Sequence, residues 1–196
     1  YVWSPDYARI AYDWQGQVYV ADGDGGNVRT LGPGVAPAWS PDGKRLAIER
    51  ASDKGPLIVV VNLDDARETV LVGGSRPAWA PTQGIASQRL AYTYSSGAAI
   101  SPSIYLIDLA TGATALLASD GSAPLWSPDG GAIAFLTSRQ EIAVVTLVQG
   151  SVSTVGAGYS CAWSVDGKRL AFLSAKPAGK PMAWDRESGE IKALLD

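Results

Sequence analysis

The chain has 196 residues, of which 46% are hydrophobic and 18% charged, with a net charge of −3, no histidine and one cysteine. This composition is that of a globular protein and excludes a disordered chain, and no apolar run approaches the roughly 20 residues of a membrane-spanning helix. The basic residues are scattered, so we expect neither nucleic-acid binding nor direct membrane insertion. Without histidine the chain cannot form a Ser-His-Asp triad or a His-based metal site.

A short phrase that begins with tryptophan recurs five times along the chain. Successive copies start 36, 40, 47 and 37 residues apart, a spacing typical of repeats built from one supersecondary unit each. The five copies are residues 3–6, 39–43, 79–81, 126–130 and 163–167. This recurrence predicts an internal repeat of about 40 residues.

Each unit opens with a strand, a tight turn and a second strand, most clearly in the second copy. Residues 37–39 lead into the turn and residues 45–48 leave it. Ser40, Pro41 and Gly43 occupy the first, second and fourth positions, as a type I turn prefers. We therefore predict a hairpin at every copy of the phrase.

Two further strands complete each predicted unit. The third is a continuous apolar run, typical of a strand that is covered on both faces, at residues 18–20, 58–61, 104–107 and 142–145. The fourth alternates apolar and polar residues, as a partly solvated outer strand does, at residues 28–31, 68–71, 151–155 and 190–194. Four short strands per unit without helical periodicity indicate propeller blades.

These units resemble the WD-like repeats of TolB-type β-propellers, whose blades carry a Trp-Ser-Pro-Asp-Gly-Lys turn followed by Leu-Ala-Phe. Residues 39–48 and 163–172 match that pattern most fully. Tyr7 replaces the turn glycine of the first copy, Val165 replaces the proline of the fifth, and residues 82–87 lengthen the third turn. The resemblance implies an all-β fold, a β-propeller of four-stranded antiparallel blades.

We interpret residues 1–196 as a single propeller domain with five blades, at about 1–34, 35–74, 75–121, 122–158 and 159–196. One blade of about 40 residues could not bury enough surface to fold alone, so the blades must stack. We favour a closed five-bladed ring, held by side-chain packing between the first and last blades. The alternative is that the five blades belong to a larger propeller.

No catalytic, metal or cofactor site is predicted. The chain has no Gly-x-Ser-x-Gly elbow and no phosphate-binding glycine loop, and we interpret Cys161 as a small buried hydrophobic residue. Residues 22–27 alternate oxygen ligands with glycines, as a calcium loop does, but they lack the downstream glutamate of an EF-hand. We favour a hairpin turn there and predict that the chain is not an enzyme.

The predicted binding surface is the face that carries the loops between the second and third strands. These loops vary in length, from residues 13–17 to residues 95–103, and loops carry function more often than the scaffold. Val35, Arg76, Ser122 and Tyr159 enter the inner strands from this face and differ from one another, whereas their neighbours hardly vary. With aromatic and arginine residues favoured at interfaces, the candidate partner-binding residues are Arg76, Tyr94, Ser122, Arg139 and Tyr159.

Two functions remain open. The first is a non-catalytic TolB-like scaffold that binds another protein or peptide, for which the resemblance implies a periplasmic or extracytoplasmic location in a bacterium. The alternative is the substrate-gating propeller of a larger prolyl oligopeptidase- or tricorn-type peptidase, with the catalytic domain outside this chain. A lectin-like carbohydrate binder is a weaker third hypothesis, because only Trp14 and Trp184 lie outside the repeat position.

Overall fold

The computed structural model describes residues 1–81, 88–97 and 101–195. Regular structure within these residues consists of β-strands joined by turns, and every strand pair is antiparallel. This confirms the predicted all-β class. The strands are β1 (Val2–Trp3), β2 (Arg9–Trp14), β3 (Gln17–Asp22), β4 (Arg29–Pro33), β5 (Val35–Trp39), β6 (Arg45–Arg50), β7 (Leu57–Asn62), β8 (Glu68–Gly73), β9 (Ser75–Trp79), β10 (Arg89–Tyr94), β11 (Ser103–Asp108), β12 (Thr114–Ala118), β13 (Ser122–Trp126), β14 (Ala132–Leu136), β15 (Glu141–Thr146), β16 (Val152–Trp163), β17 (Arg169–Ser174), β18 (Pro181–Asp185) and β19 (Ile191–Ala193).

Strands that follow one another in sequence are neighbours in the sheets. The first sheet contains β1–β4, the second β5–β8 and the third β9–β12, each with four strands in chain order. The remaining strands, β13–β19, form one seven-stranded sheet. Three of the predicted four-stranded units are therefore separate sheets, and the last two are continuous with each other.

The seven-stranded sheet is continuous because β16 serves both of its halves. Residues 152–157 pair with β15, and residues 158–163 pair with β17. We call β13–β16 the fourth sheet and β16–β19 the fifth. The predicted boundary between residues 158 and 159 therefore lies inside a strand, since the backbone stays extended from one half to the other.

The recurring phrase forms a turn that is closed by its serine and aspartate side chains. Ser40 Oγ donates to Asp42 Oδ1 (2.5 Å) and accepts the amide N–H of Arg45 (2.9 Å). Partial burial opposes ionisation of Asp42, but the hydrogen bonds from Ser40 and the Lys44 amide hold its pKa below the ordinary value. The same pair of serine bonds recurs at Ser4, Ser127 and Ser164.

The sheets pack face to face, and the repeated tryptophans lie between them. In the core between the first and second sheets, Ala11 and Val18 meet Trp39 and Ile48. Trp39 is 8% exposed, and its indole Nε1 donates to the Val2 carbonyl (3.1 Å). Trp126 and Trp163 make the same bond to the carbonyls of Ala78 (3.0 Å) and Leu125 (3.1 Å). The repeat thus uses each of these tryptophans to attach a sheet to the preceding one.

Among the described residues, no other sheet packs on one face of the first sheet or on one face of the last sheet. Trp3, the counterpart of Trp39, is 42% exposed because no sheet packs on that side of the first sheet. On the fifth sheet, Arg169 and Ala171 are exposed. The core clusters of the described residues join only consecutive sheets. The packing that we expected to close a five-bladed ring is absent from the described part of the chain, which forms an open series.

Candidate functional site

The inner strand of every sheet after the first carries the same backbone irregularity. Three residues before the repeated tryptophan, a residue other than glycine adopts the left-handed conformation, and the strand pairing shifts there. This conformation is costly for side chains with a Cβ, and such residues cluster at functional sites. The four residues are Ala36 (φ 50°), Arg76 (φ 49°), Ala123 (φ 54°) and Ser160 (φ 53°), which we call the bulge residues.

Side chains of the preceding sheet hold three of the four bulges in place. The acceptor is in each case the fifth residue of that sheet's second strand. A bulge removes the N–H of the bulge residue from the regular hydrogen bonding between the strands. The bond to the side-chain acceptor replaces the one that this N–H would otherwise make. The amide N–H groups of Ala36, Arg76 and Ala123 donate to Asp13 Oδ1 (3.3 Å), Glu49 Oε2 (3.1 Å) and Thr93 Oγ1 (3.1 Å), respectively.

The fourth bulge differs from the other three. The position that supplies the acceptor is occupied in the fourth sheet by Leu136, whose side chain cannot accept a hydrogen bond. The amide N–H of Ser160 therefore has no side-chain acceptor at this position. Ser160 is also exposed.

The four bulges line one cavity of about 470 Å³. Leu136 ends β14 and Ile142 lies at the start of β15, so the cavity is on the face that carries the loops between second and third strands. Its walls are mainly apolar, with Leu125 and Phe135 beside Leu136. The residue after each bulge also contributes, namely Pro37, Pro77, Pro124 and Cys161. We call this space the bulge cavity.

Two of the five predicted binding residues line the bulge cavity. Arg76 and Tyr159 do so, and both are exposed. Ser122 comes directly before a bulge residue and is not among the lining residues. Its Oγ donates to the Leu136 carbonyl (3.3 Å). The other two are not among the lining residues: Tyr94 ends β10, and Arg139 lies in the exposed turn between β14 and β15.

Tyr94 belongs to an aromatic group at the end of the third sheet. Its ring packs edge-on against Tyr105, with the two centroids 5.7 Å apart, and Tyr105 stacks on Tyr92 at 5.9 Å. Tyr92 is buried, which raises the pKa of its phenol. Tyr94 therefore extends a structural stack, although part of its ring stays exposed.

Alignment on the repeated tryptophan corrects the predicted set by one residue. Ser122 and Tyr159 lie four positions before their tryptophans, whereas Arg76 lies three before Trp79. The true counterpart of Ser122 is Ser75. Arg76 is instead the counterpart of the other bulge residues. Sequence reasoning also missed the lining prolines, because a residue that recurs in three of the five units was interpreted as scaffold. Their signal was the fixed spacing of two residues before the tryptophan.

Cys161 takes the place of the proline in the last sheet. It is half-buried, and this burial raises the pKa of its thiol, so the thiol stays protonated near neutral pH. This agrees with the interpretation of Cys161 as a small hydrophobic residue. Its contact with the cavity is one of packing.

A second cavity of about 390 Å³ lies among the turns, where Trp39, Trp79 and Trp126 line it with several prolines. Trp79 differs from its counterparts because its buried Nε1 has no hydrogen-bond partner among the described residues. The guanidinium of Arg45 lies over the Trp79 ring, 4.9 Å from its centroid. These tryptophans hold the sheets together, so we assign this cavity to the scaffold.

The segment at residues 22–27 forms the turn of a hairpin between β3 and β4. Asn27 Nδ2 donates to Asp22 Oδ2 (2.6 Å), and the Gly26 amide donates to Asp24 Oδ1 (2.8 Å). Both carboxylates are thus used within the turn. Across the described ranges, no group of three or more cysteine, aspartate and glutamate side chains is placed to hold a metal ion. Nor does this part of the chain contain a helix long and apolar enough to cross a membrane.

The consecutive four-strand units, packed through a repeated tryptophan with their inner strands meeting at one cavity, define a β-propeller type of fold. No protein-family model matches the sequence. Among solved structures, the chain is similar to TolB from Acinetobacter baumannii, with a TM-score of 0.76 and 25% identity, over 96% of this chain and 53% of that one. The chain therefore spans about half the length of that protein.

Two further solved structures have the same fold. The putative TolB from Agrobacterium tumefaciens has a TM-score of 0.74 and 20% identity, over 99% of this chain and 79% of its own. An oligogalacturonate lyase in complex with manganese has a TM-score of 0.72 and 13% identity, over 98% of this chain and 63% of its own. The resemblance to TolB-type propellers that the repeats indicated is confirmed, and the likeness to the lyase is one of fold.

Proposed function

We propose that this chain is a non-catalytic, TolB-like propeller of five blades that binds a segment of another protein in the bulge cavity. In this proposal the fourth and fifth blades share β16. The observation that carries the proposal is the convergence of four strained bulges, from four successive sheets, on one cavity. Strained backbone conformations are concentrated at functional sites, so the cavity where the four strained residues meet is the favoured binding site.

The chemistry of the cavity suits a protein segment. Apolar walls with a tyrosine and an arginine are the composition of binding hot spots. Pro37, Pro77 and Pro124 lie on edge strands and have no amide N–H, so they block the addition of a further strand. The partner is therefore bound through its side chains and end groups, without β-sheet augmentation.

The same residues support a binding role without turnover. The usual general acids and bases are histidine, aspartate and glutamate, and none of these is among the described residues that line the cavity. The chain has no histidine to serve as a base at neutral pH. We extend the proposal to an extracytoplasmic location, on the resemblance to TolB alone.

A double variant tests the proposed surface. We expect Arg76→Ala combined with Tyr159→Ala to weaken partner binding by at least about 2 kcal/mol, because both residues offer hot-spot contacts in the cavity. Both side chains are exposed, so the melting temperature should hardly change. The partner is first identified by affinity capture and mass spectrometry, and its binding to the purified chain is then measured by calorimetry.

The matched control is Lys44→Ala with Lys168→Ala, which removes two exposed residues of the turns on the opposite face. We expect this control to bind the partner as the unaltered chain does. Equal losses in the two double variants, or a loss confined to the lysine variant, would show that the partner uses a different face.

A further inference from the structure

One cationic side chain, Arg76, lines the bulge cavity. Among the described residues that line the cavity, Arg76 is the only charged one. None of the ion pairs in the described part of the chain includes Arg76. The carboxylates of Asp13 and Glu49 accept the main-chain N–H groups of Ala36 and Arg76 and are not among the described lining residues, so Arg76 is the charged side chain that a negatively charged group of an occupant would meet.

The fifth sheet adds hydrogen-bond donors to the cavity, in addition to Arg76 of the third sheet. Tyr159 and Ser160 line the same cavity and supply two hydroxyl groups. Leu136 stands where the other sheets have a side-chain acceptor, so no side chain at that position competes with a ligand for the amide N–H of Ser160. Arginine and a main-chain amide are donors suited to a carboxylate, which accepts several hydrogen bonds at once.

The rest of the cavity is a surface for an apolar side chain. Pro77, Pro124, Leu125 and Phe135 line it without offering a charge. An occupant that carries a carboxylate and an apolar group close together would match both parts. The last residue of a polypeptide has this combination, because its main-chain carboxylate and its own side chain share one Cα.

We propose that the bulge cavity recognises the carboxyl terminus of a partner chain whose last residue is apolar. Arg76 and the donors of Tyr159 and Ser160 bind the terminal carboxylate, and the prolines with Leu125 contact the last side chain. This inference rests on the proposed function, since it names the part of the partner that enters the cavity. An internal acidic side chain fits less well, because its main chain would have to continue past the apolar walls in both directions.

Defined peptides provide the test. The probes are fluorescently labelled pentapeptides that end in leucine, isoleucine, valine or phenylalanine, each made as the free acid and as the carboxyl-terminal amide. Fluorescence anisotropy with the whole chain measures their dissociation constants. We expect saturable binding of free acids and at least about tenfold weaker binding of the matching amides, because the amide loses a charge-assisted hydrogen bond to Arg76.

Three variants separate the carboxylate contact from general packing. Arg76→Ala should weaken binding of the free acid at least about tenfold and reduce the difference between acid and amide. Tyr159→Phe keeps the ring and loses the hydroxyl, so it should weaken the free acid by a smaller factor. Lys168→Ala, on the opposite face, should change neither form. Circular dichroism melting of each variant verifies that it remains folded.

Three results would overturn the carboxylate proposal. They are equal binding of acids and amides, free-acid binding that Arg76→Ala leaves unchanged, and no saturable binding of any free acid at millimolar concentration. If acids and amides bind alike and the Arg76→Ala, Tyr159→Ala double variant abolishes both, the carboxylate proposal fails and the cavity remains the binding site. If the identified partner also binds that double variant normally, the proposed function fails as well.

Discussion

Replacing Trp39 with alanine is expected to lower the free energy of unfolding by about 3–5 kcal/mol. Trp39 is buried between the first and second sheets, where it contacts the cluster of Ala11, Val18 and Ile48. The substitution also removes the bond from its indole to the Val2 carbonyl and the stacking of Arg9 on its ring. Urea unfolding followed by circular dichroism measures the loss.

Trp3→Ala is the matched control, because Trp3 occupies the same repeat position without a preceding sheet. Its side chain is substantially exposed, so we expect a loss of about 1 kcal/mol or less. Equal losses at the two positions would mean that packing between sheets is not what the repeated tryptophan contributes, and would count against the fold described above.

Gly74→Ala should destabilise the chain by about 1–3 kcal/mol through overpacking. A Cβ at this position would lie 2.6 Å from Cδ2 of Tyr92 and 3.0 Å from the Thr93 carbonyl oxygen. The Tyr92 ring is buried and stacks on Tyr105, so it has little room to move away. Thermal unfolding of the variant measures the effect.

Gly73→Ala is the control for that substitution. A Cβ at Gly73 meets only the Pro56 carbonyl oxygen, at 3.9 Å, so the change should stay within about 0.5 kcal/mol. If the two alanine variants melt alike, Gly74 approaches Tyr92 and Thr93 of β10 less closely than the structure indicates.

The turns could be predicted because their determinants are local. Ser40, Pro41, Asp42 and Gly43 close a turn through bonds between residues at most five apart, and the same letters recur through the chain. The continuity of β16 has no such local signal. Whether a strand ends or continues between two sheets depends on the relative placement of those sheets, which short-range patterns do not encode.

The candidate site was only partly predictable, because it is assembled from positions about 40 residues apart. Arg76 and Tyr159 were chosen for their divergence between repeats, and both line the bulge cavity. The left-handed conformation of Arg76 has no sequence signal, since arginine does not favour it. Tyr94 and Arg139 are predicted on the same divergence and on their aromatic and arginine chemistry, and they are not among the lining residues because the cavity forms where the inner strands approach one another.

Whether the ring closes could not be predicted from the sequence either, because closure depends on how distant parts of the chain are placed. The fifth sheet has the same strand pattern as the others, so the repeats suggested that its free face would meet the first sheet. The angle between successive sheets decides whether they meet, and it depends on the side-chain volumes in each core. The exposure of Trp3 and Ala171 shows that the described sheets do not close.

Methyl NMR of the chain during titration with the free-acid pentapeptides tests most directly whether the bulge cavity is the binding site. The account predicts that the methyl signals of Leu125, Leu136 and Ile142, which line the cavity, shift in a saturable manner. The exposed methyl groups of Val148 and Val165 lie outside the cavity and should stay unchanged. Shifts confined to Val148 or Val165, or no saturable shift of any methyl signal, would contradict it.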